Sequence, residues 1–182
     1  MGWSLRARSF LWLTAIAVVI QWGIGLFLLG GMAMAGNLWL TIHLSLGLIL
    51  LALSPLRLVS RLFDHAPRHV RSPLAAIVAG LAHAGLYALL LLVPLTGWLG
   101  YRPAPFMPPP LAFDLLPMPV LTGLEGVSPR TMLSLHAQLT WALVALVVVH
   151  VLAVLFHAVV LRDGTLGGML HGRNRGAADR RP

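Results

Sequence analysis

The chain contains no cysteine among its 182 residues. That excludes disulfides, thiolate-ligated metal clusters and cysteine nucleophiles. It has no lysine either, so all thirteen basic residues are arginine. Charge of both signs is scarce. Charged residues make up 10% of the sequence and only five are acidic, whereas a soluble domain carries about a quarter charged residues. No charged side chain occurs between Arg8 and Arg57, so the first third holds no polar domain. What is present is apolar: 58% of residues are hydrophobic and the mean hydropathy is +0.86. These absences place the chain in a lipid bilayer, and membrane lipid is its first expected partner. The net charge of +8 does not indicate a nucleic-acid partner, because the arginines flank hydrophobic runs instead of gathering on a polar domain.

Four apolar runs are long enough to cross a membrane, which takes about 20 residues of helix. They cover residues 9–30, 38–56, 74–101 and 131–161. Together they predict an all-α, integral-membrane four-helix bundle in a single domain, residues 9–161. The start of the chain imitates a secretory signal, with Arg6 and Arg8, an apolar run, then Ala33, Met34 and Ala35. The run is too long for a typical signal core, so it is read as an uncleaved span. Glycines 30, 31 and 36 with Asn37 end it. The second run stops at Pro55 and Arg57, and the third carries Pro94 as a kink that neighbouring helices can tolerate. Residues 57–71 form a basic connecting loop in which His65 and His69 are solvated. Residues 102–130 are too rich in proline for a span and predict an ordered extramembrane loop capping one end of the bundle. Residues 162–182, rich in glycine and arginine, predict a disordered tail.

The arginines orient the bundle, since basic residues concentrate on the cytoplasmic side. Arg6 and Arg8, the four arginines of the 57–71 loop, and Arg162, Arg173, Arg175, Arg180 and Arg181 all fall on one side. Arg102 and Arg130 fall on the other. Both termini are therefore expected in the cytoplasm, in a multi-pass bacterial inner-membrane protein with the proline-rich loop outside. Trp39, Trp98 and Tyr101 would form the outer aromatic belt, and Trp3 and Trp12 the inner one.

The chemistry lies in the histidines. His136 and His150 are fourteen residues apart in the last run, close to four turns, which puts them on one face about 21 Å apart. His157 lies near the same face. Unpartnered polar groups at that depth cost several kcal/mol, so ionisable residues there are functional candidates. His43 lies about as far into the second span as His136 lies into the fourth. Two imidazoles from different helices at one depth can ligate one metal centre. A haem suits this apolar setting better than a bare zinc or copper ion, which would need a third ligand that neither level offers. Gly47, one turn after His43, either makes room for a porphyrin or lets helices pack closely. His83 in the third span lies at the depth of His150 and is either a second ligand or an interhelical hydrogen bond. Arg57, on the face of His43 near the inner boundary, is either a partner for an acidic cofactor group such as a propionate or an interfacial arginine. Gln21 is read as an interhelical hydrogen bond.

The order of elements resembles the prokaryotic cytochrome b561 family over nearly the whole chain. The resemblance is carried by Thr41-Ile42-His43-Leu44-Ser45-Leu46-Gly47, Arg57, Gly80-Leu81-Ala82-His83, Pro94 and Gly97, then His136, His150 and His157. That family includes the cytochrome subunits of nickel hydrogenases and formate dehydrogenases, and superoxide oxidase. The resemblance implies a four-helix bundle that carries two b haems and exchanges electrons with quinone. It implies that His43 and His136 are the outer haem's axial ligands and that His150 is one inner ligand. It also places Arg57 near a propionate and His157 near an inner quinone pocket. One position departs from the pattern. The family's other inner ligand is a histidine early in the first span, where this chain reads Phe10-Leu11-Trp12, and residues 1–42 contain no histidine. Met32 and Met34 lie at the wrong end to replace it. One haem is therefore expected, and a second only if His83 partners His150 or His150 alone holds it.

The function implied is single-electron transfer between an outer-face redox partner and the quinone pool. The protein would act alone, as superoxide oxidase does, or as the anchor of a soluble dehydrogenase. The alternative is a haem-poor or haem-free membrane anchor that keeps the fold.

Overall fold

The computed structural model describes residues 4–29, 36–63, 73–102, 111–113, 115–121, 126, 128–162 and 166–167. Trp3, Met32, Met34, the Ala33–Ala35 segment, His65, His69, Arg68, Arg71, most of the proline-rich loop and the tail arginines from Arg173 onward lie outside these residues. Four long helices are present: α1 (Leu5–Gly23), α2 (Gly36–Phe63), α3 (Pro73–Gly100) and α4 (Pro129–Phe156). α1 runs on into a π-helical segment at Ile24–Leu29, and α4 into another at His157–Leu161. All four are long and apolar enough to cross a membrane. Their surfaces are apolar too, with Val19, Ile77, Val149 and Val159 among many exposed large side chains. Lipid tails are as apolar as leucine, so these helices need no polar outer face.

The helices differ from the sequence expectation at their ends, for local reasons. α1 starts at Leu5 because the Ser4 hydroxyl accepts from the Ala7 N–H at 3.1 Å and caps the first turn. α2 does not stop at Pro55 but continues to Phe63. Proline removes one hydrogen bond, and in an apolar bundle hydroxyl side chains and neighbouring helices make good such losses. Pro94 likewise deprives the Leu90 carbonyl of its helical donor, and the Ser54 hydroxyl of α2 lies 3.4 Å from that oxygen while donating to Leu50 O at 2.7 Å. α4 begins at Pro129, a residue suited to a first helical turn.

α1 packs on α2, α2 on α3, and α3 most extensively on α4. Trp22 of α1 meets Trp141 of α4 edge to face, with centroids 6.0 Å apart, and joins the two ends of the series. α2 and α4 are thus diagonal across the core. Glycines set the α3–α4 spacing: a Cβ at Gly100 would stand 2.8 Å from Leu133 Cγ and 2.9 Å from its backbone nitrogen.

Within the proline-rich segment, β1 (Leu111–Ala112) and β2 (Leu116–Pro117) form an antiparallel hairpin, with Leu111 opposite Pro117 and Ala112 opposite Leu116. Ala112 and Met118 bury themselves against Tyr101, with Leu44, Leu48 and Trp98 around them. The described part of this segment lies along the flank of α2, against Leu44 and Leu48. It marks one end of the molecule, called here the hairpin end.

Candidate functional site

His43 on α2 and His136 on α4 face each other across the diagonal of the core near the hairpin end. Their ring centroids are 6.2 Å apart and the ring planes are inclined at 81°. Metal–imidazole bonds of about 2.0–2.1 Å place two rings bound on opposite sides of one metal roughly 6.4 Å apart, centroid to centroid. The observed pair matches that separation. His136 Nδ1 lies 2.8 Å from the Val93 carbonyl. A carbonyl only accepts, so Nδ1 carries the proton and Nε2 keeps its lone pair for a metal. Gly97 makes this possible, because a Cβ there would stand 2.9 Å from His136 Nδ1. On the other side, His43 Nδ1 is buried and has no hydrogen-bond partner. An orphaned imidazole nitrogen in an apolar core is costly unless that nitrogen itself is bound.

A cavity of about 210 Å³ opens between these rings and extends along the core. Its walls include Gln21, Trp22, Gly47, Pro94, Thr140 and Trp141, with Leu50, Leu90 and Leu143 further in. Gln21 donates from Nε2 to the His43 carbonyl at 2.7 Å, the interhelical bond expected of it. Gly47 lines the cavity, and a Cβ there would meet Gln21 Nε2 at 3.5 Å, an ordinary contact. Among the described residues no three His, Asp or Glu side chains converge on one point, which leaves ligation by two imidazoles. Diagonal placement, trans spacing, an apolar cavity and an orphaned nitrogen all suit a flat metallo-cofactor with two axial ligands.

The second histidine pair has a different geometry. His83 and His150 come together with centroids 5.3 Å apart. At that separation two imidazoles on one metal would subtend about 110°, far from trans. They also lie on adjacent helices: two residues along α3 from His83, a Cβ at Gly85 would come within 3.0 Å of Leu146, one turn before His150 on α4. His83 Nδ1 donates to the Ala79 carbonyl at 2.6 Å. Arg57 belongs to this second level, its guanidinium 5.7 Å from the centre of the Tyr87 ring. It is about 21 Å along α2 from His43. His157 stands apart from both pairs, opening the π-helical segment at the far end of α4 beside Phe156.

Trp22, Gly25, Trp141 and Thr140 were not singled out from the sequence. Trp22 adjoins Gln21, and Thr140 and Trp141 lie one turn after His136, so a helical projection centred on the histidines would have found them. Gly97 was noted only as part of a pattern, and its role as the seat of the His136 ring needed coordinates.

Known proteins resemble this chain along nearly its full length. The family model described as prokaryotic cytochrome b561 matches residues 2–172. Cytochrome b561 homolog 2 of Escherichia coli (strain K12) is 27% identical over 174 residues, which covers 92% of this chain and 90% of the relative.

Proposed function

The chain belongs to the prokaryotic cytochrome b561 family, and on that premise we propose that it is a membrane b-type cytochrome that passes single electrons between a redox partner at the hairpin end and the quinone pool. The observation that carries this reading is the diagonal His43–His136 pair at 6.2 Å. These two side chains would hold one b haem, which supplies a one-electron iron couple when bound. The Val93 carbonyl fixes the His136 tautomer and orients its ring. Gln21 ties α1 to the backbone of His43, and the tryptophans and leucines of the cavity would keep water from a haem bound there.

One haem per chain is proposed. The family's first-span ligand position holds Leu11, and the His83–His150 spacing does not suit trans ligation. Arg57 is then an interfacial arginine resting on Tyr87, beyond reach of a propionate at the first pair. His157 lies about 31 Å along α4 from His136, so with a single haem the quinone must meet the hairpin-end half of the bundle. The arginine distribution supports cytoplasmic termini, a periplasmic hairpin end and residence in the inner membrane. The haem-free anchor draws support from Leu11, but the orphaned His43 Nδ1 and the trans-like spacing of its ring from His136 weigh against it.

The test is spectroscopic. Purified protein in liposomes, reduced with dithionite, should show a low-spin b-type spectrum and be reoxidised by a short-chain quinone. A protein that carries no haem, or whose haem stays reduced when quinone is added, overturns the reading.

A further inference from the structure

On α2, the side opposite His43 is the outward side. At about 100° per residue, Leu38, Ser45, Ile49 and Leu56 all project there, within roughly 40° of one another. Leu38 and Leu56 are 63% and 56% exposed, as lipid-facing residues of a span are. Ser45, between them, is only 8% exposed. What covers it is the hairpin. The Phe113 N–H donates to Ser45 Oγ at 2.7 Å, while that hydroxyl donates on to the Thr41 carbonyl at 2.6 Å. A hydroxyl on a lipid-facing stripe thus satisfies a main-chain N–H of a turn, the kind of group that bilayer surroundings leave unpaired at high cost.

The rest of the segment rises from there. The Leu115 N–H closes the turn on the Ala112 carbonyl at 3.1 Å. Further along, Trp98 Nε1 donates to the Pro119 carbonyl at 3.0 Å, and the Arg102 guanidinium reaches the Leu121 carbonyl at 3.3 Å. The exit is therefore fastened at the end of α3, by its last turn and by an arginine suited to the headgroups, while the turn is fastened to the interior of α2. Leu115 and Leu116, which follow in the hairpin, are apolar and face outward, 79% and 59% exposed. They continue the apolar surface of α2.

We propose that the Leu111–Pro117 hairpin is a lipid-binding element, held on the outward stripe of α2 by Ser45 and inserting Leu115 and Leu116 among the acyl chains of the leaflet at the hairpin end. It does not depend on haem or on the proposed electron transfer. Fastened this way, the hairpin fixes how deep that end of the bundle sits.

The cysteine-free sequence allows a direct test. Leu115→Cys and, separately, Leu116→Cys are labelled with a nitroxide in the full chain in liposomes. Collision with oxygen, which concentrates in lipid, is compared with collision with a water-soluble nickel chelate, using a Val149→Cys label as the lipid reference. Both hairpin labels should favour oxygen over nickel, less strongly than the Val149 position. Labels that favour nickel would place the hairpin in water, and labels shielded from both agents would mean a protein partner or second copy covers it. Either result overturns the proposal. Ser45→Ala in the Leu115→Cys background should raise the label's mobility and its nickel collision rate, and Ser45→Thr should restore both. No change with Ser45→Ala would remove Ser45 as the anchor.

Discussion

Gly97→Ala is the most informative substitution in the bundle, because it adds one methyl group beside His136, a proposed axial ligand. A Cβ at residue 97 would stand 2.9 Å from His136 Nδ1 and 3.0 Å from Cε1, whereas ordinary contact begins at 3.4 Å. The ring must therefore retreat by about half an ångström or more, away from α3. That motion pulls Nδ1 from the Val93 carbonyl, to which it now donates at 2.8 Å. Losing a hydrogen bond that orients a metal-ligating histidine typically lowers affinity about 10–100-fold. The variant should bind haem in that reduced range, with part of the low-spin signal converted to high spin as the axial bond lengthens. Gly25→Ala is the matched control, since its Cβ would meet His43 Cε1 at 3.5 Å, an ordinary contact. Haem titration of both variants, with helicity monitored to confirm folding, measures the difference. A Gly97→Ala protein with unchanged haem affinity and spectrum would show that the His136 ring does not sit where the ligand must.

Three further outcomes are expected. Gly100→Ala should destabilise the bundle by about 1–3 kcal/mol, because its Cβ would meet the Leu133 backbone nitrogen at 2.9 Å, and backbone cannot step aside; thermal unfolding in detergent would show this as a lowered midpoint, and an unchanged midpoint would refute it. Tyr101→Phe should be neutral or stabilising by up to about 1 kcal/mol in the same assay, since the phenol oxygen is buried without a partner; a clear loss of stability would mean that hydroxyl is satisfied. His83→Ala should leave the haem content and low-spin spectrum intact, and loss of haem from that variant would bring the second histidine pair into the site.

The four spans were legible because lipid removes the usual ambiguity: a run of about 20 apolar residues has few other uses. The ends were less legible. Ser4 and Pro129 extend α1 and α4 backwards by capping chemistry that a hydropathy reading passes over, and α2 passes through Pro55 because its surroundings tolerate the lost bond. The meeting of His43 and His136 followed from depth alone, since alternating spans convert residue counts into heights. Depth could not say how His83 and His150 would meet. That depends on rotation about the helix axes and on α3 and α4 being neighbours rather than diagonal, which no residue count contains. The hairpin was least legible: prolines argued correctly against a fifth span, but only coordinates connect Phe113 to Ser45, sixty-eight residues away.

The measurement that bears most directly on the account is the ratio of haem to polypeptide in purified protein, taken for the wild type and for His43→Ala and His136→Ala. One haem per chain with a bis-histidine spectrum is expected, lost or converted to high spin in either variant. A ratio near two in the wild type, or a bis-histidine spectrum that survives both substitutions, would contradict it.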